Sequence, residues 1–147
     1  MKGSIPRVYF FKISPNARTP QKIDRSIYEL YSSESCIISP MQLRRVPTDL
    51  LVSIPEGHYG IINPIISSKN KKNVIASTEL ITYENEEPLT ATIFNCSLPE
   101  TLFNKNPSVS AFSGLFGSRL STSIKQGDVI ARLLIKKCTK TELYEEI

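Results

Sequence analysis

An all-β fold, an antiparallel barrel or sandwich, is what this chain of 147 residues predicts. Three observations predict it. Short runs rich in β-branched and aromatic residues recur along the sequence, each bounded by Pro, Gly, Asn or Ser. There are 10 Pro and no Trp, and proline inside a helix removes an amide donor and clashes with the preceding turn, so long helices are disfavoured. Two stretches, Ile54-Pro-Glu-Gly-His-Tyr-Gly60 and Ile124-Lys-Gln-Gly-Asp-Val-Ile-Ala-Arg-Leu-Leu134, read as strand and tight turn in succession.

Taken in order, Arg7–Ile13 is aromatic and β-branched and reads as the first strand. Ser14–Pro20 is a loop between two prolines. Ser26–Tyr31 alternates and forms a strand, and Cys36–Ile38 is a short one stopped by Ser39-Pro40. Arg44–Val46 begins the next strand, which Asp49–Ile54 continues across Pro47. Pro55-Glu-Gly57 is a turn, with Pro at its first corner and Gly tolerating positive φ afterwards. Tyr59–Ile62 returns. Val74–Ala76, Leu80–Tyr83 and Leu89–Phe94 add three strands, the last alternating Leu89, Ala91 and Ile93 with Thr90, Thr92 and Phe94. Val129–Ile135 is almost continuously apolar, the pattern of a strand covered on both faces. The core predicted from this pattern includes Ile13, Leu51, Ile54, Ile61, Leu80, Ile93, Ile130 and Leu133.

An apolar content of 40% supplies one core, so a single domain over 1–147 is expected, with an inserted loop at about 97–123 and a short tail at about 139–147. The net charge of +4 concentrates in Lys69-Asn-Lys-Lys72 and in Lys136-Lys137 with Lys140. These read as solvated loop and strand-edge charge; a nucleic-acid surface needs a larger patch with interleaved aromatics, so no such partner is expected. The three Cys at 36, 96 and 138 contain no CxxC pair, which argues against a disulfide framework and for a reducing compartment. One His excludes a His-rich zinc site. No stretch has the length of an apolar membrane span, and Met1-Lys-Gly-Ser-Ile-Pro6 lacks the apolar core of a signal peptide, so no membrane partner is expected.

Five stretches carry a resemblance. Tyr28-Glu-Leu-Tyr-Ser32 is similar to the motif A-G-Y-D-L, and Ile38-Ser-Pro-Met41 to an I-P-P turn. Thr48–Gly60 is similar to T-x-I-x-I-x-I-P-x-G-Y-Y-G. Glu79–Asn95 fits G-V-I-D-x-D-Y-R-G and the strand ending L-F-N without a gap. Gly127-Asp-Val-Ile-Ala131 is similar to G-D-R-I-A-Q. In this order they resemble the framework of the trimeric dUTPase family. The resemblance implies a β-barrel of jelly-roll character that assembles as a homotrimer, so the chain itself is the first expected partner.

The family's chemistry uses a carboxylate-held water that attacks the α-phosphorus, Mg²⁺ held by the triphosphate with carboxylates in support, a Tyr beside the base and sugar, and a P-R-S-G segment on the phosphates. Matched motif to motif, the first-motif Asp falls on Glu29. The Arg and Ser of P-R-S-G fall on Ile65 and Ile66, the water-orienting Asp on Thr82, the stacking Tyr on Asn85, and the final Gln on Arg132. The C-terminal Gly-rich motif is replaced by Glu142–Ile147. These replacements imply a dUTPase fold without dUTPase activity, a pseudoenzyme with no catalytic residues, metal or cofactor. Glu84-Asn-Glu-Glu87, readable as a carboxylate cluster for metal, reads instead as a solvated acidic turn before Pro88.

The expected role is therefore a virus-encoded homotrimer acting as a structural, virion-associated or protein-interaction component, in the host cytoplasm or nucleus or in the virion. Its protein partner would be a viral capsid or host signalling protein, as in the adenoviral early-region relatives of dUTPase that act as signalling adaptors. The alternatives are a divergent dUTP or nucleotide pyrophosphatase with relocated groups, and a nucleotide-binding regulator. Two segments are candidates for interaction. The insertion carries Phe103, Phe112, Leu115 and Phe116 on a Gly- and Ser-rich backbone, and is otherwise readable as a loop packed over its own barrel. The tail carries Tyr144-Glu-Glu-Ile147, the form favoured by Src-type SH2 domains once phosphorylated, with Ile147 also suited to a PDZ groove.

Overall fold

The computed structural model describes residues 4–65, 74–98 and 121–146. Twelve strands and no helix are found among them: β1 (Tyr9–Lys12), β2 (Gln21–Asp24), β3 (Ile27–Tyr31), β4 (Cys36–Ile38), β5 (Leu43–Pro47), β6 (Leu50–Ser53), β7 (His58–Pro64), β8 (Val74–Ser77), β9 (Glu79–Ile81), β10 (Thr90–Asn95), β11 (Thr122–Ile124) and β12 (Val129–Lys137). All pairings are antiparallel. The largest sheet runs β2-β3-β12-β7-β9; β5-β10-β8, β1-β6 and β4-β11 complete a barrel of jelly-roll character.

One cluster fills the barrel, with Leu30, Ile38, Val46, Leu50, Ile93 and Leu133 almost wholly removed from water. Each such aliphatic side chain contributes roughly 1.5–3 kcal/mol on burial. Polar groups inside are tied across sheets. The Asn95 side-chain amide donates to the Ile38 carbonyl at 3.0 Å, and its oxygen accepts from the Ser97 amide at 3.0 Å. Thr48 donates its hydroxyl to the Leu89 carbonyl at 2.7 Å.

The two tight turns form where glycine permits them. Gly57 has φ +81° and Gly127 φ +90°. The His58 amide donates to the Pro55 carbonyl, so Glu56 and Gly57 occupy the corners and Pro55 precedes them, one position earlier than the sequence suggests. At the second turn the Asp128 amide donates to Lys125, and Asp128 Oδ2 accepts from the Lys125 amide. This turn docks on the first motif through reciprocal Ser32–Asp128 and Gly127–Ser32 backbone bonds of 2.8 Å. Arg18 caps the junction, stacked 3.9 Å over the Tyr31 ring.

Four of the expected core positions differ. Ile54, Ile93, Ile130 and Leu133 are buried, but Ile13 and Leu80 are exposed and Leu51 and Ile61 half-buried. Leu51, Ile61 and Leu80 each miss by one residue, since Leu50, Val52, Ile62 and Ile81 point inward. Both faces of these strands are apolar, so alternation did not distinguish them. The strand expected to continue across Pro47 is two, β5 and β6, in different sheets; Asp49, at φ 54°, turns the chain between them. β12 is covered less evenly than its composition implies. Ile130, Ala131, Leu133 and Ile135 are buried, Arg132 is exposed, and a register shift at Val129/Ala131 turns Ile130 and Ala131 inward together. Polar β2 carried no apolar signal, and β11 begins inside the segment read as insertion.

Candidate functional site

The third motif builds a tight turn after β9. The Asn85 amide donates to the Thr82 carbonyl at 3.1 Å, and the Asn85 side chain donates to the Glu87 carbonyl at 2.9 Å. Asn85 is thereby held half-buried with its amide fixed, while Thr82 and Tyr83 face solvent. The Glu84 carboxylate, hydrogen-bonded to the Tyr83 hydroxyl, holds that phenol above its ordinary range.

This turn forms one wall of a cleft of about 590 Å³ between β5, β9 and β10. Its polar lining is Arg45, Asp49, Glu79, Asn85, Glu87 and Thr90, over an apolar floor that includes Ile81 and Leu89. Two carboxylates are placed by the fold. Asp49 Oδ2 accepts the Ser14 hydroxyl at 2.6 Å, so the loop after β1 fixes it. Glu79 is half-buried on β9 and, among the described residues, accepts one long 3.4 Å bond from Thr92 Oγ1. A carboxylate so lightly held keeps lone pairs for a water or an incoming donor.

The family-matched positions separate into pairs. Glu29 on β3 and Arg132 on β12 are direct cross-strand partners, 3.9 Å apart as an ion pair on the outer face of the large sheet. Thr82 and Asn85 share the third-motif turn. Ile65 leaves β7 with its amide bonded to the Ile130 carbonyl, half-buried. Ile66, Phe103, Phe112, Leu115, Phe116 and Ile147 lie outside the described residues. Tyr144 is 88% exposed on a tail without strand or helix. Sequence reading missed Arg45, Asp49 and Glu79. The signal for Asp49 was a lone carboxylate at the head of an apolar run; nothing marked the other two as convergent.

Among the described residues no group of three or more His, Cys, Asp or Glu could hold a metal ion. The Mg²⁺ implied by the resemblance therefore has no protein-built cage there. A second cleft is lined by Cys36, Ile37, Arg44 and Lys125, and Arg44 is bridged to Glu34 at 2.9 Å. Burial pushes the Cys36 thiol up, against the pull of Arg44. No helix of the described residues is long and apolar enough to cross a membrane.

The family model for dUTPase matches residues 14–105. A deoxyuridine 5'-triphosphate nucleotidohydrolase of Fowl adenovirus A serotype 1 is 26% identical over 142 residues, covering 95% of this chain and 68% of that protein. The fowlpox virus enzyme of the same name is 39% identical over 59 residues, 39% of this chain and 41% of its own. Among solved structures, a mutant of the dUTPase from phage phi11 of S. aureus superposes with TM-score 0.74 at 22% identity, covering 95% of this chain and 96% of that one. The Staphylococcus bacteriophage 80alpha dUTPase does so equally. At that identity the superposition establishes the fold.

These findings correct the expectation of a chain without enzymatic activity. The relatives are nucleotide hydrolases, and the replacements at Thr82, Asn85 and Arg132 do not establish its loss at this identity. Motif matching tests one register, whereas the fold brings Asp49, from the turn between β5 and β6, and Glu79, from β9, to a common cleft.

Proposed function

The chain belongs to the dUTPase family, and on that premise we propose that it is a homotrimeric nucleotide pyrophosphatase with relocated catalytic groups. Its substrate class is a nucleoside triphosphate, with dUTP the first to test. Water attacks the α-phosphorus, the bond to the bridging oxygen breaks, and the monophosphate and pyrophosphate leave. Glu79 is assigned as the base that takes the water's proton, because it lines the cleft beside Asn85 and Thr90 with little of its bonding capacity used. Asn85 and Thr90 offer an amide and a hydroxyl for base or sugar.

The observation that carries the reading is the family match through the third-motif cleft, joined to a nucleotidohydrolase relative aligned over 95% of the chain. The test is pyrophosphate release from dUTP and the other nucleoside triphosphates, with Mg²⁺ present. Turnover of about one per second or more on any of them supports it. No release above the uncatalysed rate from the whole set overturns it.

Trimer formation is supported by the outer face of the large sheet. Register places Ile27, Leu134, Ile61 and Leu80 in one cross-strand row, flanked by Glu29, Arg132 and Asn63. Leu80 is 66% exposed and the other three apolar residues half-buried, a surface that asks for cover. A closed threefold ring supplies such cover without leaving a free patch. Light scattering decides it. The adenoviral and poxviral relatives favour a virus-encoded protein working in the host cytoplasm or nucleus; imaging a tagged chain in infected cells tests this.

A further inference from the structure

Of the six tyrosines, five are held by the barrel. Tyr9, Tyr28, Tyr31 and Tyr59 lie in β1, β3 and β7, paired in register with neighbouring strands. Tyr83 has acidic neighbours, but it sits in the turn closed by the Thr82–Asn85 bond. Tyr144 lies outside every strand and every hydrogen-bonded turn of the described residues, and its side chain is 88% exposed. Leu143 beside it is 98% exposed, and residues 138–146 are exposed throughout. The sequence there is Glu142-Leu-Tyr-Glu-Glu-Ile147.

We propose that Tyr144 is a tyrosine-phosphorylation site, and that the phosphorylated Tyr144-Glu-Glu-Ile147 unit is a ligand for an SH2 domain of Src type. The reasoning goes beyond the hydrolase reading and is independent of it. A kinase must draw its acceptor hydroxyl into line with the γ-phosphate of ATP, which needs a chain that can leave the surface without breaking sheet bonds. Residues 142–146 meet that condition and the strand tyrosines do not. The Tyr144 phenol oxygen attacks the γ-phosphorus of ATP, the bond to the ADP oxygen breaks, and the phenolic proton passes to the kinase's catalytic carboxylate. The products are phosphotyrosine and ADP, with the kinase supplied in trans by a protein tyrosine kinase.

The product has the chemistry an SH2 domain reads. The phosphate brings about −1.5 to −2 charges and three acceptor oxygens, which an Arg cluster grips with charge-assisted bonds. Glu145 and Glu146 extend the anionic stretch, and Ile147 supplies an apolar side chain three residues on. Glu142, Glu145 and Glu146 also repel the new phosphate from any fold-back among themselves and favour an extended tail.

The experiment uses the full chain, a Src-family kinase domain with MgATP, mass spectrometric site mapping, and calorimetric binding to an isolated Src-type SH2 domain. One phosphoryl group is expected, on Tyr144. The phosphorylated chain should bind about a hundredfold tighter than the unphosphorylated one, and Ile147→Asp, phosphorylated equally, should bind about tenfold weaker. Tyr144→Phe should take no phosphoryl group and show no binding. Phosphorylation elsewhere only, or a phosphorylated chain that binds no tighter because Lys136 and Lys137 capture its phosphate, overturns the proposal. Unchanged binding by Ile147→Asp overturns the assignment of the four-residue unit.

Discussion

Arg132 lies directly across from Glu29 in the β3–β12 ladder, with its guanidinium nitrogen 3.9 Å from the carboxylate. Both residues stand where the dUTPase motifs carry other groups, and the fold has made them partners of each other. The pair is on a wetted face, with side chains 48% and 22% exposed. A double-mutant cycle with Glu29→Gln and Arg132→Gln should therefore give a coupling of about 0.2–1 kcal/mol, shrinking with added salt. A larger, salt-insensitive coupling would mean that a second subunit buries the pair.

Gly60 tests how tightly the barrel is filled. A Cβ there would meet Leu133 Cδ1 at 2.9 Å and Ile54 Cδ1 at 3.1 Å, both on buried side chains. Gly60→Val should cost about 1–3 kcal/mol by overpacking, read as a lower denaturant midpoint at unchanged slope.

Asn95 tests the polar tie between sheets. It is wholly buried, and its side chain bonds both the Ile38 carbonyl and the Ser97 amide. Asn95→Leu removes one donor and one acceptor while leaving the two backbone groups without those bonds. A loss of about 2–6 kcal/mol is expected in equilibrium unfolding, from about 1–3 kcal/mol for each of the two stranded groups.

Glu79 tests the assigned base. Glu79→Gln keeps the shape of the side chain and its place on β9 but removes proton-accepting capacity. A fall in kcat of about 10²- to 10⁴-fold with little change in KM is expected on whichever triphosphate is turned over. An unchanged kcat would move the assignment to Asp49.

Leu134 tests the assembly. It lies between Ile27 and Ile61 on the outer face and is half-buried in the single chain. Leu134→Glu should leave the strand content seen by circular dichroism intact and shift the light-scattering mass from trimer to monomer. A trimer that survives the change would place its interface on another face.

The sequence by itself determined the all-β class, most of the strands and the two glycine turns, but not the polar β2, the short β11 or the break between β5 and β6. β4 was legible to the residue, because Ser39-Pro40 stops it, and Gly57 and Gly127 marked positions where only positive φ closes the turn. The order of the framework motifs carried the family. What only the tertiary structure decided was which face of each strand turns inward and which distant groups meet. Leu50-Leu51-Val52, Ile61-Ile62 and Leu80-Ile81 are apolar on consecutive positions, so their phase was set by partner strands rather than by local alternation. Asp49 reads in sequence as a residue inside a strand, and a backbone turn at φ 54° places it on the same cleft as Glu79 and Asn85. The motif positions were read one register at a time. The cleft is a property of β5, β9 and β10 together, and a linear motif carries no record of groups that converge only when non-adjacent strands pair.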